Sequence, residues 1–291
     1  MISAIDEQRA TALPVTVIAP AGGGVGLRLS ELWAYRELLY YLTLRDVQIR
    51  YKQAFLGVAW ALLQPVLTML VFAFLFGRVA HLAPENGLPY NLYILAALLP
   101  WQLFAGALAR SSGSLVGNAN LITKIYFPRL IIPLAAVAAA LVDFLWSLLV
   151  LAVMLPWYAW RGAFHPSVGW PLLMLPLFVL LALLAALAVG LWLSALNVQF
   201  RDVQYVVPFL VQIWLFVSPV AYAPGHITST LGRTLFSLNP MVGVIQGFRW
   251  ALLGTAPPDA SMAISLAVML VLLVSGLFYF RRMERLFADV V

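Results

Sequence analysis

Between Phe55 and Phe76 the chain carries no charged residue. A run so long and so apolar leaves few folding options. As a helix, about 20 residues rising ~1.5 Å each cross the hydrocarbon layer of a bilayer. The stretch just before it has the opposite character. LWAYRELLYYLTLRDVQIRYKQ, beginning at Leu32, mixes Arg36, Arg45, Arg50 and Lys52 with Trp33, Tyr35, Tyr40, Tyr41 and Tyr51. Tyr and Trp bridge wet and dry surroundings, and Lys and Arg meet anionic lipid or a partner in the aqueous phase. The junction reads as an interfacial helix leading into a membrane span.

The remaining chain repeats the apolar pattern. Apolar residues make up 64% of it and charged ones 10%, against about a quarter charged in a soluble domain. The fold class is an all-α membrane protein. Six spans are expected, at about 55–76, 92–109, 130–156, 170–196, 205–222 and 262–280. Pro65 and Pro100 should kink or locally unwind the first two. Residues 1–30 read as a cytoplasmic arm with a Gly-rich turn at 22–26, and not as a signal peptide, because Asp6 and Glu7 stand where positive charge should be. Residues 31–53 form the interfacial helix, whose imperfect amphipathicity also fits two helices breaking near Thr43. The stretch 223–259 should hold two short helices, at 231–238 and 241–253, that dip into the interface without crossing.

Six crossings put both termini on one side. With the N-terminus inside, the cytoplasmic segments hold thirteen of the seventeen Lys and Arg residues, leaving Arg78, Arg161, Arg233 and Arg249 outside. The positive-inside rule therefore places both ends in the cytoplasm. The same rule accounts for the net charge of +6 without nucleic acid as a partner.

Several chemistries find no residues here. The absence of Cys removes disulfides, thiolate catalysis and Cys-ligated metals. His81, His165 and His226 are too scattered for a metal site. No phosphate-loop sequence G-x-x-x-x-G-K-[ST] occurs, and no catalytic constellation is visible. Asp143 is the one acidic residue deep in an expected span. A carboxylate there costs about 2.5–3.5 kcal/mol on insertion scales unless it is paired or wet. With no second buried charge in view, a protonated or hydrogen-bonded structural role is expected ahead of a proton site. Arg45-Asp46-Val47-Gln48 recurs as Arg201-Asp202-Val203-Gln204, a match too short to establish a repeat.

Four segments carry a resemblance: ELWAYRELLYYLTLRDVQIRYKQAFLGVAWALLQP from Glu31, NLITKIYFPRLIIP from Asn120, FRDVQYVVPFLVQIWLFVSPVAY from Phe200 and NPMVGVIQGFRWALLG from Asn239. Together they resemble the membrane subunit of bacterial ABC type-2 polysaccharide exporters, permeases for O-antigen, capsule and teichoic-acid-like polymers. The resemblance runs from Val15 to the end. It implies a homodimer in the bacterial inner membrane, joined to two copies of a separate cytosolic ABC ATPase that binds the ATP and Mg. This chain would bind no cofactor itself. Residues 118–127, with Asn120, Lys124, Tyr126 and Phe127, correspond to the segment that docks on the ATPase. The substrate would be a lipid-linked polysaccharide.

On that reading the first and fifth spans of two subunits form the pathway. Trp60, Gln64, Gln212, Trp214 and Tyr222 are its expected lining, since Gln in hydrocarbon needs a partner or water and aromatic rings stack on sugar faces. Arg36, Arg45, Arg50 and Lys52 are expected to face lipid headgroups or the ATPase; Arg45 has a local alternative in Asp46. Two other classes remain in competition. A membrane-embedded transferase for lipid-linked sugars should show Asp or His clusters at loop–membrane boundaries. A secondary transporter should show several buried ionisable groups and repeat symmetry.

Overall fold

The computed structural model describes residues 29–52, 58–82, 84, 87–164, 169–222, 229–284 and 287. The N-terminal arm with its Gly-rich turn, His165 and His226, and the start of the first expected span lie outside these residues.

Two helices open the described chain, α1 (Leu29–Ala34) and α2 (Arg36–Lys52). They part at Tyr35 and not at Thr43, whose hydroxyl donates to the Leu39 carbonyl at 2.8 Å inside unbroken α2. Next come α3 (Val58–Phe72), α4 (Tyr90–Gly117), α5 (Ala119–Lys124), α6 (Ile131–Trp160), α7 (Leu175–Gln199), α8 (Val203–Val217), α9 (Thr230–Ser237), α10 (Pro240–Leu253) and α11 (Ser261–Met283). α3 runs on as a π-helical stretch, Ala73–Val79, and a 3-10 turn, Trp170–Met174, leads into α7. Among the described residues the secondary structure is helical throughout.

Five helical stretches are long and apolar enough to cross a membrane: Ala59–Val79, Tyr90–Gly117, Ile131–Trp160, Trp170–Gln199 and Ser261–Met283. The fifth expected span is shorter than the sequence suggests. α8 has 15 residues, about 22 Å of helix. It stops at Ser218, which precedes Pro219 and adopts φ −92°, ψ 149°, the extended conformation that a following proline favours. The second expected span is longer than 92–109. α4 runs through Pro100 and past Arg110 to Gly117.

α4 is the axis of the bundle. Its eight residues 92–99 are each no more than 1% exposed, so every face is covered. α7 presents small residues to it, with Ala182, Ala185, Ala186 and Gly190 buried. Lipid supplies little hydrophobic drive between helices, so close approach of small residues does the packing. At Gly276 of α11 an added Cβ would stand 2.8 Å from the Ala188 carbonyl oxygen, and Trp192 stacks on Tyr279 at 4.4 Å just beside it. These contacts lock α11 onto α7.

α10 is the most enclosed of the short helices. Pro240 occupies its first turn, where a missing N–H costs nothing. Asn239 caps it by accepting from the Met241 N–H at 3.0 Å. Gly254 ends it with φ +66°, a left-handed conformation that glycine adopts without strain.

Candidate functional site

One end of the bundle is basic. α2, the α4–α5 junction, Arg129, Arg281 and Arg282 meet there. Arg45 donates to Asn118 Oδ1 at 2.7 Å and pairs with Asp46 at 2.8 Å. Asn118 in turn donates to the Ser114 carbonyl at 2.8 Å. The start of α5 is thus tied directly to the middle of α2. Across the same end, the Arg129 N–H donates to Glu284 Oε1 at 3.1 Å and its guanidinium to the Glu284 carbonyl, joining α6 to the end of α11.

From Arg45 the helix α2 leans on α6 and delivers Arg50 and Tyr51 to Asp143. Arg50 lies 3.1 Å from Asp143 Oδ2. Arg110 of α4 meets the same oxygen, and Tyr51 donates to Oδ1. Burial, and then the bond to this carboxylate, push the Tyr51 hydroxyl up to about 12, so it remains a donor throughout the physiological range. Side-chain exposure is 20% for Asp143, 25% for Arg110 and 44% for Arg50. Asp143 is therefore an ion-paired junction of α2, α4 and α6, with part-buried charged partners that the sequence did not bring beside it. The missing partner was Arg110, which the sequence puts in a loop. Here it lies eight residues before Asn118 on continuous α4, about 12 Å along the helix.

This cluster borders a cavity of about 280 Å³. Gln64 and Thr68 of α3, Gln102 of α4, and Trp101 and Phe144 also line it. Its volume is near the lower end for small-molecule sites.

Of the residues expected to line one pathway, Trp60, Gln64 and Gln212 are exposed on α3 and α8, and Gln64 also borders the cavity. Trp214 faces inward, donating from Nε1 to Asn239 Oδ1 at 2.9 Å, with its ring edge-on to Phe104 at 5.0 Å. Tyr222, beyond α8, donates to the Phe216 and Val217 carbonyls at 3.4 and 3.3 Å. Of the four basic residues on α2, only Arg50 reaches the cavity. Arg36 sits over the Trp33 ring at 5.6 Å, and Lys52 is exposed. In α5 and the turn after it, Asn120, Lys124, Ile125 and Tyr126 are exposed, while Ile122 and Phe127 are buried. An anchored turn thus presents a mixed basic and aromatic tip.

Arg249 is a further residue whose role the sequence hides. Grouped with the loop cations, it is 3% exposed. It lies 3.7 Å from the Tyr93 ring centroid and donates to the carbonyls of Tyr93 (3.3 Å), Val220 (2.7 Å) and Tyr222 (3.4 Å). It thereby pins the chain leaving α8 to α10 and α4. A sequence signal was present only in its neighbours: α10 is apolar around nearly its whole circumference, which marks a buried helix.

A helical membrane bundle with a basic end, an exposed turn at that end and an ion-paired cavity above it has the parts of a transport subunit. Sequence comparison gives the family. The pattern of the ABC-2 type transporter family matches residues 37–253, and the chain belongs to that family. It is 33% identical over 258 residues to the O-antigen export system permease protein RfbA of Myxococcus xanthus, covering 87% of this chain and 96% of the relative. The Klebsiella pneumoniae RfbA permease is 28% identical over 255 residues, with 88% and 95% covered. The polysialic acid transport protein KpsM of Escherichia coli is 26% identical over 245 residues, with 84% and 92% covered.

Proposed function

We propose that this chain is the membrane permease subunit of an ATP-driven exporter that carries a lipid-linked polysaccharide, of O-antigen or capsule type, out of the bacterial cytoplasm. The observation that carries this reading is similarity over nearly the full length of relatives named for O-antigen and polysialic acid export. Two subunits pair in the inner membrane and bind two cytosolic ATPases, which hold ATP and Mg and perform the hydrolysis. α8 serves as a short fifth crossing, α9 and α10 enter and leave on the outer side, and both termini are cytoplasmic. The thirteen-to-four distribution of cations supports this orientation.

α3 and α8 line the path between subunits. Their outward faces, with Leu63, Leu67 and Leu70 on one and Phe209, Ile213 and Phe216 on the other, are exposed in the single chain and available to a second copy. The tip formed by Lys124, Ile125 and Tyr126 docks on the ATPase. The Arg45–Asn118 bond carries its displacement to α2. Arg36 and Lys52 hold anionic lipid along that helix. Deleting the gene tests the proposal. Lipid-linked glycan should accumulate inside the cell and vanish from the surface, and a plasmid copy should restore export. Surface glycan at normal levels after deletion would refute it.

A further inference from the structure

We propose that Tyr90 and Arg249 are positioning residues for the outer exit of the export path: they latch the strap Ser218–Tyr222 to the core of the subunit, and through it hold the Tyr222 ring at the exit. The placing of a path beside α8 rests on the exporter reading; the latch itself stands on contacts within this one chain.

The strap begins where α8 stops. A chain that leaves a helix carries carbonyls with no helical partner, and burial makes such groups costly unless they are bonded. Val220 is 0% and Ala221 5% exposed. Three successive carbonyls are met here by two side chains. Arg249 donates to Val220 at 2.7 Å and to Tyr222 at 3.4 Å, and the Tyr90 hydroxyl donates to Ala221 between them at 2.6 Å. Both donors stand on enclosed helices. Arg249 belongs to α10, and its guanidinium lies on the Tyr93 ring at 3.7 Å. Tyr93 stacks beside Tyr90 at 6.3 Å, at the start of α4.

The same Tyr90 ring reaches the other wall of the path. A Cβ added to Gly77 would stand 2.7 Å from it, so the backbone of the π-helical end of α3 lies against the ring. One side chain thus ties together the outer ends of both helices assigned to the path. At the far end of the strap Tyr222 turns back over α8. Its hydroxyl donates to the Phe216 and Val217 carbonyls, and its ring tilts against Phe236 of α9 at 6.0 Å. Releasing the strap would shift that ring, loosen its contact with α9 and free three acceptors beside a polymer rich in hydroxyls.

The test places one cysteine at Ala221 of the Cys-free chain, assembled with its ATPase in proteoliposomes, and follows labelling by a membrane-impermeant maleimide on the outer side. A separate cysteine at Ala185, buried on α7, reports general loosening. Tyr90→Phe should raise the labelling rate at Ala221 about fivefold, the change in opening equilibrium for one ordinary hydrogen bond. Arg249→Gln should raise it more, and Arg249→Lys, which keeps the charge without the fork, to an intermediate degree. Ala185 should label as slowly as before, and glycan moved per ATP hydrolysed should fall in the same order of variants. If Arg249→Gln yields no complex, Tyr90→Phe, which loses only a hydroxyl, carries the comparison. Equal rises at Ala221 and Ala185 are the result expected of general packing and would overturn the proposal. Unchanged labelling at Ala221 would overturn it too, as would unchanged export per ATP while labelling rises. No transport by the parent complex would instead refute the exporter reading, and with it the path, while the labelling still decides the latch.

Discussion

Replacing Asn239 by Ala should loosen the packing of α8 on α10 by an amount that follows from its contacts. The side chain is 8% exposed and serves three groups at once. Oδ1 accepts from the Met241 N–H at 3.0 Å and from Trp214 Nε1 at 2.9 Å, and Nδ2 donates to Ser218 Oγ at 2.9 Å. Losing the cap of α10 costs about 1 kcal/mol. Leaving the part-buried Trp214 N–H without an acceptor adds about 1–2 kcal/mol. Ser218 loses less, because its hydroxyl still donates to the Trp214 carbonyl at 2.8 Å. The sum is about 2–3 kcal/mol, which for a chain of this size should lower the thermal midpoint in detergent by about 5 °C. Trp214→Phe removes the indole bond together with part of the ring packed on Phe104, and should cost about 1–3 kcal/mol. Because both substitutions delete the same bond, the double variant should be less destabilised than the sum by about 1 kcal/mol. Strict additivity, or an Asn239→Ala midpoint unchanged from the parent, would refute the assignment of Asn239 as the tie between α8 and α10.

Three further outcomes are expected. Reporter fusions at Val291 should report a cytoplasmic C-terminus, and an outer-side signal would reject the six-crossing arrangement. Lys124→Glu and Tyr126→Ala should reduce ATPase co-purification and export while leaving the thermal midpoint unchanged, since both side chains are exposed; one ion pair contributes only about 1 kcal/mol or less, so the double variant should show the larger effect. Single cysteines placed in this Cys-free chain at Gln64 and Gln212 should react with a water-soluble maleimide in the assembled transporter, and labelling only by lipid-soluble reagents would remove both from the pathway.

The long apolar runs made the spans legible, because ~20 charge-free residues have few other homes. The two short helices before the last span were legible too, since each apolar stretch there is too short to cross a bilayer; around α10, Asn239-Pro240 and Gly254 are also start and stop signals. The extent of α4 was hidden. Arg110-Ser111-Ser112-Gly113-Ser114 looks like a loop by composition, yet α7 covers it and the Asn197 amide donates to the Ser112 carbonyl at 3.1 Å. Tertiary packing overrides local polarity there. That misplacement separated Arg110 from Asp143 and hid the central ion cluster. Arg249 was obscured for a related reason: carbonyls left free where α8 ends supply its acceptors, and no linear pattern marks such carbonyls. α8 was overextended because Ser218-Pro219 sits inside an apolar run that hydropathy alone reads as continuous.

The most direct measurement is transport in a defined system. The chain and its cognate ATPase are reconstituted into proteoliposomes with a lipid-linked glycan in the outer leaflet, and movement of the glycan to the lumen is followed by protection from an added glycosidase. Protection should appear only when this chain, the ATPase and MgATP are all present, and should disappear when the ATPase cannot hydrolyse ATP. Protection without the ATPase, or none with the complete system while ATP is being hydrolysed, would contradict the assignment of this chain as the permease.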